Sequence, residues 1–326
     1  MYENHQDKSS ANPAGETGWE RTVIEKVALA AIEEQAKARR WGIIFKSATL
    51  LYLIAVLAIV ALPGLKKDLG GDDGKDHTAV IDVIGIIAED KAANADSIIK
   101  SLRKAVKDEH TKGVILHANS PGGSPVQSHY VYEEIRKIKK EYPKTPIYAV
   151  VGDICASGCY YIASASDKIF VSQASLVGSI GVIMDGFGFV DTMEKFGIER
   201  RVLTAGAHKA MLDPFSPRKD DETQFMQRLL EQVHQQFIKA VKDGRGDRLK
   251  DSPDLFSGLV WTGEEGIKLG IADAYGSDDS VAKNVIGAKK RVDFTEQESV
   301  LDRVAGKLGS SFGHAIGSVI KNWELK

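Results

Sequence analysis

Three short stretches of this sequence hold residue types suited to acyl-transfer chemistry. In Asp153-Ile-Cys-Ala-Ser-Gly-Cys159, small side chains crowd a turn that has Ser157 at its tip. A serine there can hold its hydroxyl out into a cleft. Nucleophile elbows use the same logic, although G-x-S-x-G itself is absent. The competing reading is a serine that only N-caps the next helix. A nucleophilic serine needs a base, and Thr204-Ala-Gly-Ala-His-Lys-Ala-Met211 supplies two side by side, His208 and Lys209. Lysine serves if desolvation lowers its pKa from about 10.4 toward neutrality, leaving a free amine to accept the proton. Ala205, Ala207, Ala210, Met211 and Leu212 give Lys209 apolar company of that kind. An exposed loop lysine is the plain alternative, and His208 is the rival base. In Asn119-Ser-Pro-Gly-Gly-Ser124, adjacent glycines free the backbone to approach a ligand and turn N–H groups toward it, as an oxyanion hole requires. An ordinary Gly-Pro turn would carry the same residues.

The surrounding elements must bring these stretches together. Ala79–Ile87 reads as a buried strand, Val114–Leu116 as a second and Ile147–Val151 as a third. Between and after them, helical spacing of apolar residues begins at Asp96, runs from Val126 to Glu141, and recurs from Ser157 to Ser166. A long helix from Asp220 to Asp243 is expected to bury Phe225, Leu229, Val233, Phe237 and Val241. Alternating short apolar runs and amphipathic helices predict an α/β domain with largely parallel strands, whose sites fall at strand ends.

Composition narrows the function classes. The chain has 326 residues, and 45 acids against 43 bases give a net charge of -2, which argues against a nucleic-acid binder held by a basic surface. Eight histidines without metal-ligand spacing and two cysteines, Cys155 and Cys159, point to no metal centre and no disulfide framework. Those cysteines flank Ser157 at i and i+4. They can approach each other across a strand–helix turn, but two buried thiols are the plainer expectation.

The strongest local signal is apolar. From Trp41 to Leu62 the only charge is Lys46, which can snorkel to the headgroups. Residues 41–63 are therefore expected to span a membrane once. Forty residues precede the span and no small-x-small site follows it, which argues against a cleaved signal peptide. Lys37, Arg39, Arg40 and Lys46 before it outweigh Lys66, Lys67 and Lys75 after it, placing the N-terminus in the cytoplasm and the remainder outside. The expected organisation is a tail and juxtamembrane helix at 1–40, the anchor, a linker at 64–77, an α/β domain at 78–298 and an amphipathic tail at 299–326.

Taken together, NSPGG, CASGCYYIASASDKIF, GSIGVI, TAGAHKAM and LVWTGEEGIKLGIADAYGS resemble the signal peptide peptidase A family in its short bacterial form. Five separated motifs occur in the family's order, from Thr78 to Gly276, and the single anchor also fits. The resemblance implies a crotonase/Clp-protease-like fold and a serine endopeptidase with a Ser-Lys dyad. It makes Ser157 the nucleophile, Lys209 the general base, and the N–H groups of Gly123 and Gly158 the oxyanion hole. No cofactor or metal is implied. It further implies a homo-oligomeric ring in which serine and lysine come from neighbouring protomers. The implied substrates are remnant signal peptides and other extended or unfolded chains at the outer face of the bacterial cytoplasmic membrane.

Motif adjacency gives Ser179 a role in orienting the Lys209 amine, against a structural turn serine. Val182–Val190, with Met184, Phe187 and Phe189, is the candidate for apolar subsite walls, against a plain core strand and turn. Two rivals keep the fold: a crotonase-like acyl-CoA enzyme, and a ring-forming membrane scaffold without catalysis.

Overall fold

The computed structural model describes residues 17–69 and 75–296. The chain divides into two compact units, residues 1–71 with 299–326, and residues 72–298. In the first unit the described element is helix α1 (Thr17–Leu69), which joins the expected juxtamembrane helix and the expected span without a break and continues through the first residues of the expected linker. Among the described residues no helix is long and apolar enough to cross a membrane. The described side chains of the expected span, residues 41–56, fall short of the roughly 20 residues a crossing needs, and the side chains of 57–63 lie outside the described residues. So do the expected N-terminal tail at 1–16, linker residues 70–74 and the C-terminal tail at 299–326.

The second unit is built on one sheet. Strands β1 (His77–Ile87), β2 (Thr111–Gly123) and β3 (Ile147–Ala156) lie side by side and parallel. Their centres read as near-continuous apolar runs because both faces are covered. Helix α2 (Ala95–Lys107) starts where the Asn94 side chain accepts the Ser97 N–H, and it buries Ile98, Leu102, Ala105 and Val106. Helix α3 (Pro125–Glu141) starts at Ser124, with proline at its first position, and buries Val131, Tyr132, Ile135 and Ile138. Each fully buried aliphatic side chain of this kind contributes about 1.5–3 kcal/mol.

Helix α4 (Gly158–Ser164) is buried along its whole length. Strands β4 (Lys168–Val171) and β5 (Leu176–Gly178) then share the outer edge of β3, β4 pairing Tyr148–Val150 and β5 pairing Ile154–Ala156. After the short helix α5 (Val190–Lys195) comes α6 (Asp220–Arg245). Strand β6 (Val260–Thr262) pairs antiparallel with β5. Helix α7 (Gly263–Lys268) leads to β7 (Ala274–Tyr275), which pairs β4. Helix α8 (Asp278–Val281) precedes β8 (Arg291–Asp293), which pairs β1 on its far side. The sheet has eight strands, and β5–β6 is its one antiparallel pair among the described residues. The expectation of an α/β domain with largely parallel strands holds.

Three details differ from the sequence reading. The NSPGG segment is not a connection but the last part of β2, with Gly122 and Gly123 opposite Ile86 and Ile87 of β1. Strand β3 runs five residues past Val151, up to the residue before Ser157. In α6, Phe225 and Leu229 are exposed, and apart from Glu222 in the first turn the buried residues begin at Phe237.

Candidate active site

Strand β3 ends at Ala156 and helix α4 begins at Gly158, so Ser157 alone makes the turn between them. Its backbone has φ 53° and ψ -123°, a region costing a non-glycine residue about 1–3 kcal/mol unless its surroundings hold it. Two backbone bonds hold it here. The Ser157 N–H donates to Gly178 O of β5 at 2.9 Å, and the Tyr161 N–H donates to Ser157 O at 2.9 Å. The N-cap reading predicts a bond from the serine side chain to the start of α4, and none is made. The half-buried hydroxyl is instead on the wall of a cavity of about 360 Å³.

The glycines of the two motifs meet at this turn. A methyl group on Gly158 would lie 2.5 Å from Ser128 Oγ and 3.2 Å from Gly123 N, so the ends of β2 and α4 touch. Gly122, the first of the two adjacent glycines, packs directly behind the Ser157 turn. It has φ +102°, and a Cβ there would lie 2.7 Å from Ala156 O and Gly158 N and 2.8 Å from Ser157 Cβ. Only glycine permits that approach. Asn119 ties β2 to β3 just upstream: its Oδ1 accepts the Ile154 N–H at 3.2 Å, and its amide donates to Asp153 Oδ2 at 3.4 Å. Those bonds cross the register shift between β2 and β3, at Ala118/Ser120.

Cys155 and Cys159 are not the two thiols the sequence suggested. They are joined as a disulfide, with Cα atoms 5.1 Å apart, because the sharp turn folds the end of β3 back over the first residues of α4.

Apolar and aromatic groups line the rest of the cavity, chiefly Val126, Tyr130, Tyr161, Val182, Ile183 and Phe237. Tyr161 stacks on Phe237 with ring centroids 4.9 Å apart. Burial pushes its phenol up to about 12, so it keeps its proton, and its hydroxyl lies within hydrogen-bond distance of His129 Nδ1, at 3.0 Å. Tyr161 sits four residues after Ser157, one turn along α4. Helical spacing is the signal that could have placed it beside the serine.

The other candidates stand apart from this cavity. Lys209 is exposed within a run of turns and is not among the cavity residues. Ala205 and Ala207 are exposed and Ala210 and Met211 half-buried, so the expected apolar company does not enclose its amine within one chain. His208, also exposed, lies with Nδ1 3.4 Å from Oε1 of the buried Glu222 at the start of α6. Lys219 donates to the same oxygen at 3.1 Å. Ser179 is half-buried at φ 50°, next to the Gly178 carbonyl that holds the Ser157 N–H. No hydrogen bond joins Ser179 to Lys209 among the described residues. Met184, Phe187 and Phe189 are exposed instead of lining the cavity, and Phe189 stacks on Phe215 at 5.4 Å. Val182 and Ile183 of the same segment do line it.

Residues 139–292, which include both Ser157 and Lys209, match the sequence pattern of peptidase family S49. The protein named "Na(+)/H(+) antiporter NhaA" of Brucella abortus strain 2308 is 41% identical over 213 residues, which are 65% of this chain and 29% of that one. "Putative signal peptide peptidase SppA" of Enterococcus faecium is 28% identical over 316 residues, 88% of this chain and 90% of that one. "Protease 4" of Haemophilus influenzae is 30% identical over 203 residues, 61% of this chain and 32% of that one. The chain therefore spans under a third of the first of these relatives and nearly all of the second.

Proposed function

We infer, for a chain that belongs to peptidase family S49, that it is a membrane-anchored serine endopeptidase working through Ser157 and Lys209. The Lys209 amine takes the Ser157 hydroxyl proton, and the oxygen attacks a peptide carbonyl. The N–H groups of Gly123 and Gly158 hold the resulting oxyanion, each donor being worth about 3 kcal/mol. The C–N bond breaks as Lys209 returns the proton to the leaving amine. Water then releases the acyl group from Ser157 by the same route. The observation that carries this reading is the Ser157 backbone at φ 53°, with a hydroxyl free of any capping bond at the wall of an apolar cavity.

In this reading the base comes from a second copy of the chain. Lys209 is exposed and off the cavity wall, and the excursion that carries it leaves Phe187 at 81% and Leu203 at 101% exposure. An apolar surface of that kind favours burial against another protomer. A closed ring of copies would satisfy it at every subunit, with Lys209 losing water in the process. Ser179, beside the turn, is in position to orient that incoming amine.

The substrates are extended, apolar chains, above all remnant signal peptides and unfolded segments near the membrane. The apolar cavity wall beside Ser157 supports this preference, and an extended peptide can add as a strand beside the catalytic turn. Residues 41–63 anchor the chain in the bacterial cytoplasmic membrane, with the N-terminus inside and the catalytic unit outside. Trp41, Ile43, Ile44, Phe45, Leu50 and Leu51 are all exposed on α1, as lipid-facing residues would be.

Complementation between two inactive variants tests the mechanism. Ser157→Ala and Lys209→Ala proteins are each expected to leave labelled casein uncut. Mixed and reassembled, they are expected to regain part of the activity, since some sites then hold both groups. A silent mixture, in a procedure that revives dissociated wild type, would put both groups in one chain. Activity surviving Lys209→Ala would move the base to His208, and casein left whole by the assembled wild type would favour a scaffold.

A further inference from the structure

The disulfide closes a ring of only five residues, 155 to 159, with Ser157 at its middle. Its two ends belong to different elements, Cys155 to β3 and Cys159 to α4, and the single residue turning between them is the one at φ 53°. A non-glycine residue leaves that backbone region unless its surroundings over-determine it. The bonds from the Ser157 N–H to Gly178 and from the Tyr161 N–H to Ser157 fix one side each. Neither prevents the end of β3 and the start of α4 from spreading apart. The disulfide does.

We propose that the Cys155–Cys159 disulfide is a positioning clamp for the nucleophile. It holds Ser157 in its left-handed turn and thereby fixes the hydroxyl relative to the Gly158 N–H. This rests on the reading of Ser157 as the attacking group. A ring this short removes less entropy from the unfolded chain than a long loop would, so the bond acts on local geometry more than on global stability. Both cysteines are buried, at 0% and 1% exposure, so thiols in solution do not readily exchange with the bond. It is a fixed part of the site. Such a bond persists in an oxidising compartment, which agrees with a catalytic unit outside the cytoplasm.

The test uses the full chain in detergent in four forms: oxidised wild type, wild type reduced by a dithiol, Cys155→Ala/Cys159→Ala, and Ser157→Ala. In the reduction, the dithiol supplies two electrons. The S–S bond breaks, each sulfur takes a proton, and the reagent closes to its own cyclic disulfide. Excess reagent is removed before a fluorophosphonate is added, and kcat and KM are read with labelled casein.

The clamp predicts that labelling rate and kcat fall by about 10²-fold in the reduced and double-variant proteins, as an ångström-scale misplacement does, with KM nearly unchanged. Oxidised glutathione restores the reduced wild type. Equal labelling in oxidised and reduced wild type, with reduction confirmed by thiol titration and the fold by circular dichroism, overturns the proposal. That comparison stands even if the double variant does not fold. A parallel loss of kcat and thermal transition, unrestored by reoxidation, overturns it too, since the bond would then be merely structural. Failure of the underlying reading looks different: Ser157→Ala would label like wild type.

Discussion

Gly158 separates two kinds of obstacle at the scale of single residues. A methyl group there meets the Ser128 hydroxyl oxygen at 2.5 Å, an atom that mutation can remove. A methyl on Gly122 meets Ala156 O and Gly158 N at 2.7 Å, backbone atoms that no substitution can remove. Gly158→Ala is therefore expected to slow fluorophosphonate labelling of Ser157, and Ser128→Ala/Gly158→Ala to recover part of the rate. Gly122→Ala is expected to lose labelling with no such rescue, because φ +102° adds strain of about 1–3 kcal/mol. The labelling rates of the three variants decide it; recovery absent in the double variant would mean that the methyl itself blocks the oxyanion donor. The sequence implies Gly123 and Gly158 as oxyanion donors through its family resemblance. It cannot suggest Gly122, whose role depends on β2 and β3 being neighbours. Met184, Phe187 and Phe189 show the reverse case. An apolar run reads as a wall or a core strand, yet these side chains are exposed on a long excursion.

At the scale of elements, two polar ties join helices to the sheet. His117 of β2 lies with Nδ1 2.8 Å from Asp278 Oδ2 at the start of α8. The Asp278 carboxylate beside it raises its pKa against the opposing effect of burial, with Asp82 on the neighbouring strand adding to the rise. A raised folded-state pKa means stability that is fully present below the unfolded value near 6.5 and is lost as pH climbs through the folded one. The urea midpoint is expected to fall as pH rises through that window, and His117→Gln is expected to flatten the fall. A wild-type slope equal to that of the variant would assign the dependence elsewhere.

The second tie is Arg245, at 0% side-chain exposure, bonded to both Asp273 oxygens and to Gly270 O. Burial raises the Asp273 pKa, but the Arg245 bonds and charge, the Ile169 N–H and the Arg248 charge together outweigh it and hold the carboxyl below its ordinary value. Arg245→Met is expected to cost about 1.5–3 kcal/mol because it removes the main partner of the half-buried Asp273 carboxylate, and Arg245→Met/Asp273→Leu is expected to cost less. Denaturant unfolding of both variants measures this. The parallel sheet was legible because alternating apolar runs and amphipathic helices leave little other choice. The strand ends were not. Pro121, Gly122 and Gly123 look like a turn locally, and Gly122 and Gly123 are held in the sheet by pairing with β1.

For the whole molecule, the predictions concern assembly and anchoring. If Lys209 completes the site of another copy, activity per chain rises with protein concentration until the ring is full. Phe187→Glu/Leu203→Glu is expected to shift that rise to higher concentration while leaving the fold intact, as read by activity and sedimentation together. Activity per chain that is flat on dilution to the monomer would return the base to the same chain. The full chain is expected to stay with membranes through an alkaline wash, and a chain lacking residues 41–63 to be released. Release of both would remove the anchor from the account.

Strand β3 changes partner along its outer edge, from β4 at Tyr148–Val150 to β5 at Ile154–Ala156. The Ser175 hydroxyl spans the hand-over, donating to Gly152 O at 2.6 Å. Beyond it the sheet continues only through two strands of three residues each, β5 and β6. Short terminal pairings of this kind open far more often than a domain unfolds. The Ser157 amide, held by Gly178 O, should therefore take up deuterium on a faster clock than Leu116 or Ala149 at the middle of the sheet. The Ser157 turn has a lifetime of its own, set by how long a small flap stays shut.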